Sequence, residues 1–456
     1  MRETTRPRPG RQQERNPVNE VGSGGGLRKG IPYQDVIAEM ETASAQDADW
    51  RAARTWSLVY HADREVEAIV QAAYTRFMAT NGLSPVAFPS LGRFESEVIA
   101  GVGTLLGAPE GAAGSMTSGG TESLLLALKA ARDWAAVHRR DRGEFEFLLP
   151  ETAHPALYKA GHYLGVKPVP VPVGPDFRAD AAAARKLATP RTILVVGSAP
   201  AFPHGVVDPI GELAALAAER GILCHVDASV GGMMLPFLER LGRRIPPWDF
   251  RVPGVTSIST DLHKYGYAAK GASAILYRSR ELRRFQFFVQ PGWPGGMYAS
   301  PTLAGTRPGG AIAAAWAVLR LLGEDGYLRL ARTASEAARR LMEGICAIPG
   351  LFILGEPDMT LFAFAARDFD TYALGDCMRR RGWRLDRQQL PPSLHLVVTA
   401  NHAKVVDAFL ADLRESAAEA RGQAPGVAGA AYGMLGEAPP GANAEDFLLD
   451  FLDQVL

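Results

Sequence analysis

Thr192-Ile193-Leu194-Val195-Val196 is an uncharged apolar run, and one helical stretch later Ile222-Leu223-Cys224-His225-Val226 repeats it and ends at Asp227. Runs of this kind recur at 145–149, 168–173, 255–259 and 274–277, each with a helical pattern behind it. Short apolar strands spaced by helices require right-handed crossovers, and so predict a mostly parallel sheet buried on both faces. Ligands in such sheets sit just beyond the strand ends, which is where chemistry is to be sought.

Working outward, residues 1–29 are polar and rich in Arg, Pro and Gly, and read as a disordered lead. Residues 30–106 read as a helical segment, with a continuous helical pattern over 31–79 and a second helix opening at Phe88-Pro89-Ser90. Residues 107–322 hold the alternating pattern. Residues 323–456 repeat it on a smaller scale, as a second α/β domain with a Gly/Ala/Pro-rich excursion at 421–444. The expected fold class is α/β, a mostly parallel sheet with helices on both faces plus a smaller C-terminal domain.

Composition narrows the function. Of 456 residues 47% are hydrophobic, enough for a large core. Lys+Arg and Asp+Glu balance at 49 each, which argues against a nucleic-acid partner or an anionic membrane surface. Cys224, Cys346 and Cys377 are far apart, so neither a disulfide framework nor a cysteine zinc site is expected, and a reducing cytoplasm is. No apolar run reaches the length of a transmembrane helix. There is no HExxH and no GxSxG, so a zinc or serine hydrolase competes poorly.

Four local signals carry chemistry. Only eight of the 49 basic residues are lysine, and Lys264 lies directly after the run at 255–259, in Thr260-Asp261-Leu262-His263-Lys264-Tyr265-Gly266. Unlike arginine, a lysine deprotonates and bonds a carbonyl carbon. Ser118-Gly119-Gly120-Thr121 opens an apolar helix, where two glycines and free amides favour an anion at Gly120 and Thr121. Asp227 ends a strand, placed to keep the nitrogen of a pyridine ring protonated. His154 follows the run at 145–149 and is placed to stack on a planar group. Anion turn, stacking ring, strand-end acid and strand-end amine are together what pyridoxal 5′-phosphate requires, and no metal is called for.

The chain resembles the PLP-dependent fold-type I enzymes of the group II decarboxylase superfamily, and within them the sphingosine-1-phosphate lyases. The resemblance runs from about residue 30 onward. It rests on Met116-Thr117-Ser118-Gly119-Gly120-Thr121-Glu122-Ser123, Ser198-Ala199-Pro200-Ala201-Phe202-Pro203-His204-Gly205, Ser257-Ile258-Ser259-Thr260-Asp261-Leu262-His263-Lys264-Tyr265-Gly266-Tyr267 and Gly295-Gly296-Met297-Tyr298-Ala299-Ser300-Pro301-Thr302. The last stretch continues through Leu303-Ala304-Gly305-Thr306-Arg307-Pro308-Gly309. The resemblance implies that Lys264 bonds the cofactor, that Asp227 pairs with its ring nitrogen and that His154 stacks on the ring. It further implies that Gly120, Thr121 and His263 hold the cofactor phosphate, joined by Thr306 from the partner subunit of a homodimer. Tyr60 and Lys270 match residues that meet the substrate phosphate.

Departures cluster in the segment expected to touch substrate. Where the family shows Asn-Pro-Leu-His-Pro, this chain has Asn81-Gly82-Leu83-Ser84-Pro85, so Asn81 is kept and Ser84 replaces a histidine. Trp56-Ser57 also precedes Tyr60 in place of Ser-Gly, and is expected to add bulk near the substrate. The implied reaction is retro-aldol cleavage of a phosphorylated long-chain amino alcohol to a fatty aldehyde and phosphoethanolamine. The alternatives are amino-acid decarboxylation or another PLP-dependent cleavage, and a catalytically silent homologue.

Overall fold

The computed structural model describes residues 29–45, 47–139 and 144–422, together with 445, 446, 448, 449 and 452. The lead at 1–29 (Lys29 excepted) and the excursion at 421–444 (Arg421 and Gly422 excepted) lie outside the described residues. Residues 49–425 form one compact unit; residues 1–48 with 426–456 form the other, whose described part includes the helix Tyr33–Ser44. Among the described residues, no helix is long and apolar enough to cross a membrane.

In the larger unit the main sheet takes its strands in chain order from β1 (Ala113–Thr117), β2 (Glu146–Pro150), β3 (Lys167–Val171), β4 (Thr192–Ser198), β5 (Leu223–Asp227), β6 (Ser257–Thr260) and β7 (Ser273–Tyr277). They lie side by side as β1-β7-β6-β5-β4-β2-β3. The five strands from β3 to β6 are parallel, while β7 runs antiparallel to both β6 and β1. Successive side chains of a strand face opposite sides. Accordingly Phe147 and Leu149 pack with Leu124, Leu125 and Leu128 of the helix Gly120–His138, and Leu148 joins the core on the other face. Burial on both faces is why these strands read as nearly continuous apolar runs.

A two-stranded ribbon follows, β8 (Phe288–Gln290) with β9 (Tyr298–Ser300). Then come β10 (Leu351–Ile353), β11 (Leu361–Ala366), β12 (Asp386–Gln389) and β13 (Pro392–Val397), ordered β10-β11-β13-β12 with every pairing antiparallel. The smaller sheet is thus antiparallel throughout, unlike the main one. Its core gathers Phe362, Phe364, Leu394, Leu396, Trp383 and Phe409. The long helix Gly309–Cys346 runs between the two sheets in sequence and is interrupted at Gly323, whose φ of 51° is left-handed.

One expectation needs correction here. The helical pattern over 31–79 is two helices, Tyr33–Ser44 and Arg64–Phe77. Between them Ala53 and Leu58 adopt positive φ, which no helix tolerates, and the Asp63 side chain caps the second helix by accepting from Val66 N.

Candidate active site

A cavity of about 370 Å³ opens at the C-terminal ends of β4 and β5. Gly120, Thr121, His154, Asp227, His263 and Lys264 all line it. These residues come from four separate stretches of sequence, and they meet in one place because each stretch lies at or just beyond the end of a main-sheet strand.

The turn after β1 feeds the helix Gly120–His138, and no side chain among the described residues caps that helix. Its first amides keep their donors, so the helix start is a ready anion site. Gly120 is required there. A Cβ would stand 2.9 Å from Asp261 Oδ2 and 3.0 Å from Ser229 Oγ. His263 borders the same turn, and its Nδ1 accepts from Ala272 N at 3.2 Å, which leaves the proton on Nε2 as a donor. Burial, ahead of an opposing Asp261 and a reinforcing Lys270, holds the His263 ring below the usual histidine range.

Asp227 ends β5, 7% exposed. One of its oxygens, Oδ1, accepts from Ser229 N at 3.0 Å and from Ser229 Oγ at 2.6 Å. The carboxylate is thereby fixed by one edge while it borders the cavity. His154 receives the Ala156 amide on Nδ1 at 3.1 Å. Burial pushes its ring below the ordinary value against the pull of Asp227, so it is a neutral, flat surface at neutral pH.

Lys264 Nζ lies 3.0 Å from Oδ2 of Asp261, a carboxylate only 2% exposed. Burial works to raise that acid, but Lys264, His263 and Ser273 together hold it below its ordinary value. The lysine loop is clamped from three sides. Tyr265 OH bonds Thr360 Oγ1 at 2.8 Å and Val398 O at 2.9 Å, and Tyr327 OH donates to Gly266 O at 2.9 Å. Tyr267, in the same loop, takes a φ of 57°.

Tyr60 and Lys270 do not line the cavity but stand together beside this loop. The Tyr60 ring meets the Tyr265 ring edge-on at 5.1 Å, and Lys270 Nζ lies 5.5 Å from the Tyr60 centroid. The protein packed around Lys270, and after it the charge of Lys264, push its amine down to about 8; solvent contact of the side chain moderates the effect.

Asn81, Ser84 and Thr306 are elsewhere. Asn81 Oδ1 accepts from Leu83 N at 2.9 Å and Arg307 N at 3.1 Å, and its Nδ2 reaches Thr306 Oγ1 at 3.5 Å. Thr306 borders a second, smaller cavity of about 30 Å³. Ser84 is exposed, its hydroxyl accepting from Ala87 N at 3.3 Å in a local turn. The expectation for Trp56 is overturned. That ring is fully buried against His402 at 4.3 Å and Phe409 at 4.6 Å, in the core of the smaller sheet, because its chain is pinned to Arg384 and Val397.

Sequence reasoning singled out neither Asp261 nor Ser229, although both line the cavity. The available signal was their spacing, Asp261 three residues before Lys264 and Ser229 two after Asp227.

Residues 33–367 match the pyridoxal-dependent decarboxylase conserved domain. The chain is 44% identical over 430 residues to a sphingosine-1-phosphate lyase of Arabidopsis thaliana, covering 92% of this chain and 79% of that one. It is 42% identical over 434 residues to the Dictyostelium discoideum sphingosine-1-phosphate lyase, covering 94% and 81%. A solved structure of the Burkholderia pseudomallei sphingosine-1-phosphate lyase superposes with a TM-score of 0.87 at 37% identity, covering 95% of this chain and 97% of that one. The free helix start, the strand-end acid and the loop lysine suit pyridoxal phosphate, the cofactor of this family. The chain belongs to the pyridoxal-dependent decarboxylase family and, within it, to the sphingosine-1-phosphate lyases.

Proposed function

We propose that this enzyme cleaves a phosphorylated long-chain amino alcohol of the sphingosine 1-phosphate type between Cα and Cβ, releasing a fatty aldehyde and phosphoethanolamine. The observation that carries the reading is the convergence of Lys264, Asp227 and the uncapped start of the helix Gly120–His138 on one cavity. Pyridoxal phosphate, when bound, supplies an aldehyde that takes an amine and a ring that accepts the electron pair of the broken bond.

Each protein group then has a task. Lys264 Nζ is the amine that holds the cofactor and afterwards returns a proton. Asp227 keeps a proton on the ring nitrogen, held in orientation by Ser229. His154 offers its neutral face to the ring. The Gly120 and Thr121 amides and His263 Nε2 hold the cofactor phosphate. Tyr60 and Lys270, paired beside the lysine loop, meet the phosphate of the substrate.

Thr306 serves the cavity of a second copy in a homodimer. Three things support this: Thr306 stands outside the cavity of its own chain, Asn81 is bound to the same segment, and Phe288, Val289, Trp293 and Met297 of the neighbouring ribbon are exposed apolar side chains. Asn81 and Ser84 would then reach the substrate of the partner. A cytoplasmic setting accords with three cysteines that form no disulfide, two of them buried.

The test is direct. Purified enzyme with cofactor is given sphingosine 1-phosphate, and long-chain aldehyde is followed alongside carbon dioxide release from amino acids. Aldehyde release that disappears in Lys264→Ala, together with the visible band of the bound cofactor, is the expected result. Carbon dioxide without aldehyde overturns the assignment.

A further inference from the structure

Glu122 has no task in the reading above, yet it sits in the first turn of the cradle helix at 6% exposure. Its two oxygens are divided between two segments. Oε2 accepts from Ser118 N, in the turn that precedes Gly120, at 2.6 Å, and Oε1 accepts from Leu303 N at 2.8 Å. A buried carboxylate held by two backbone amides is a strong, directional tie.

Leu303 begins the exposed segment that carries Thr306, and the far end of that segment is tied to the same region. The Arg307 guanidinium donates to Met116 O, the residue before Thr117 in β1, at 3.1 Å, and to Glu95 Oε2 at 2.9 Å. The stretch from Leu303 to Arg307 is thus fixed at both ends to the strand and turn that build the cofactor cradle of its own chain.

We propose that Glu122 is a positioning residue acting across the dimer: it sets the segment that delivers Thr306 to the cofactor phosphate of the partner subunit. The inference rests on the shared-site reading above. Its consequence is that one carboxylate serves two cavities, its own through Ser118 and the neighbouring one through Leu303 and Thr306.

Mixed dimers test it. One subunit carries Lys264→Ala, so the covalent absorbance band arises only on the wild-type partner, and Glu122→Gln is placed on the Lys264→Ala subunit. A Gln side chain presents an NH2 to one of the two amides, so one tie is lost. The partner is expected to bind pyridoxal phosphate about tenfold more weakly than in the mixed dimer with Lys264→Ala alone. Thr306→Ala in the same position separates the two levels of the argument. If Thr306→Ala weakens cofactor binding and Glu122→Gln does not, this inference is overturned while the shared site stands. If Thr306→Ala leaves binding unchanged, the shared site and the inference fall together. Leu303→Pro removes the N–H of the segment and leaves the Ser118 bond intact, so it decides the matter even where Glu122→Gln does not assemble. Weaker binding in the partner supports the coupling, and binding equal to the control overturns it.

Discussion

Asp261 Oδ2 and Lys264 Nζ form a buried ion pair at 3.0 Å, and the other oxygen of Asp261 accepts no hydrogen bond among the described residues. Removing one member of such a pair strands the other charge, which costs about 3–5 kcal/mol at full burial. Lys264 keeps 22% exposure, so Asp261→Asn is expected to lower the stability of the cofactor-free protein by about 2 kcal/mol. The folded acid titrates below its ordinary 3.8, so its contribution is present above that value and lost only as pH falls through the lower folded one. Urea unfolding of both proteins at pH 7 checks this. Equal midpoints and slopes would mean that the pair contributes nothing.

Gly120→Ala tests the cradle without touching a charge. The new methyl would press on the Asp261 carboxylate at 2.9 Å and on Ser229 Oγ at 3.0 Å, both held by other bonds, so the helix start must move. Titration of the visible band should show pyridoxal phosphate bound at least about tenfold more weakly, the scale of one lost charge-assisted hydrogen bond. Unchanged affinity would remove the helix start from the phosphate site.

Much of this site was legible before any coordinates, and for a physical reason. Lys264, Asp227 and His154 each follow an apolar strand, where the ends of parallel strands converge by topology alone, and Gly120 shows itself by the paired glycines that open an apolar helix. What remained hidden depends on contacts that no local pattern encodes. β1, Ala-Gly-Ser-Met-Thr, and β12, Asp-Arg-Gln-Gln, lack the apolar runs that mark strands, and they are held by antiparallel neighbours instead. Trp56 lies four residues from Tyr60, yet the two face different cores because Leu58 turns the chain at a positive φ. Glu122 reads as an ordinary helix-start acid until Leu303, 181 positions away, is seen to donate to it.

Lys270 offers a pH-dependent test of the substrate phosphate site. Its amine is pushed down to about 8, first by the surrounding protein and then by Lys264. Its positive charge is therefore present below that value and fades as pH rises through it. KM for the phosphorylated substrate should rise between pH 7 and 9 while kcat changes less. Lys270→Arg keeps its charge and should flatten that rise; Lys270→Met should raise KM about tenfold or more already at pH 7. A KM for Lys270→Met equal to wild type would detach Lys270 from the substrate.

Two buried histidines predict how the fold responds to acid. His225 lies beneath the site, its ring nitrogens 2.9 Å from Ser257 Oγ and 3.2 Å from Ser259 Oγ. His402 accepts Thr399 N on Nδ1 and faces Thr55 O with Nε2, both at 2.9 Å. Burial pushes each down to about 4, from an ordinary 6.5. Because the folded values lie below the unfolded one, the unfolded chain binds protons first. The stability they confer is complete above 6.5 and is lost as pH falls from there toward 4. Each unit of depression is worth about 1.4 kcal/mol, so a fall to pH 4 costs about 3 kcal/mol for each ring. Over the same range the buried Asp208, raised to about 6, takes up a proton in the folded state and opposes the decline, while His204, also pushed down to about 4, adds to it. Comparing the urea midpoints of His402→Gln and wild type between pH 6.5 and 5 therefore isolates the one ring. His402→Gln should be less stable at pH 7 but show a shallower decline over that range. A His402→Gln midpoint that declines as steeply as that of wild type from pH 6.5 to 5 would contradict the neutral, buried state of this ring.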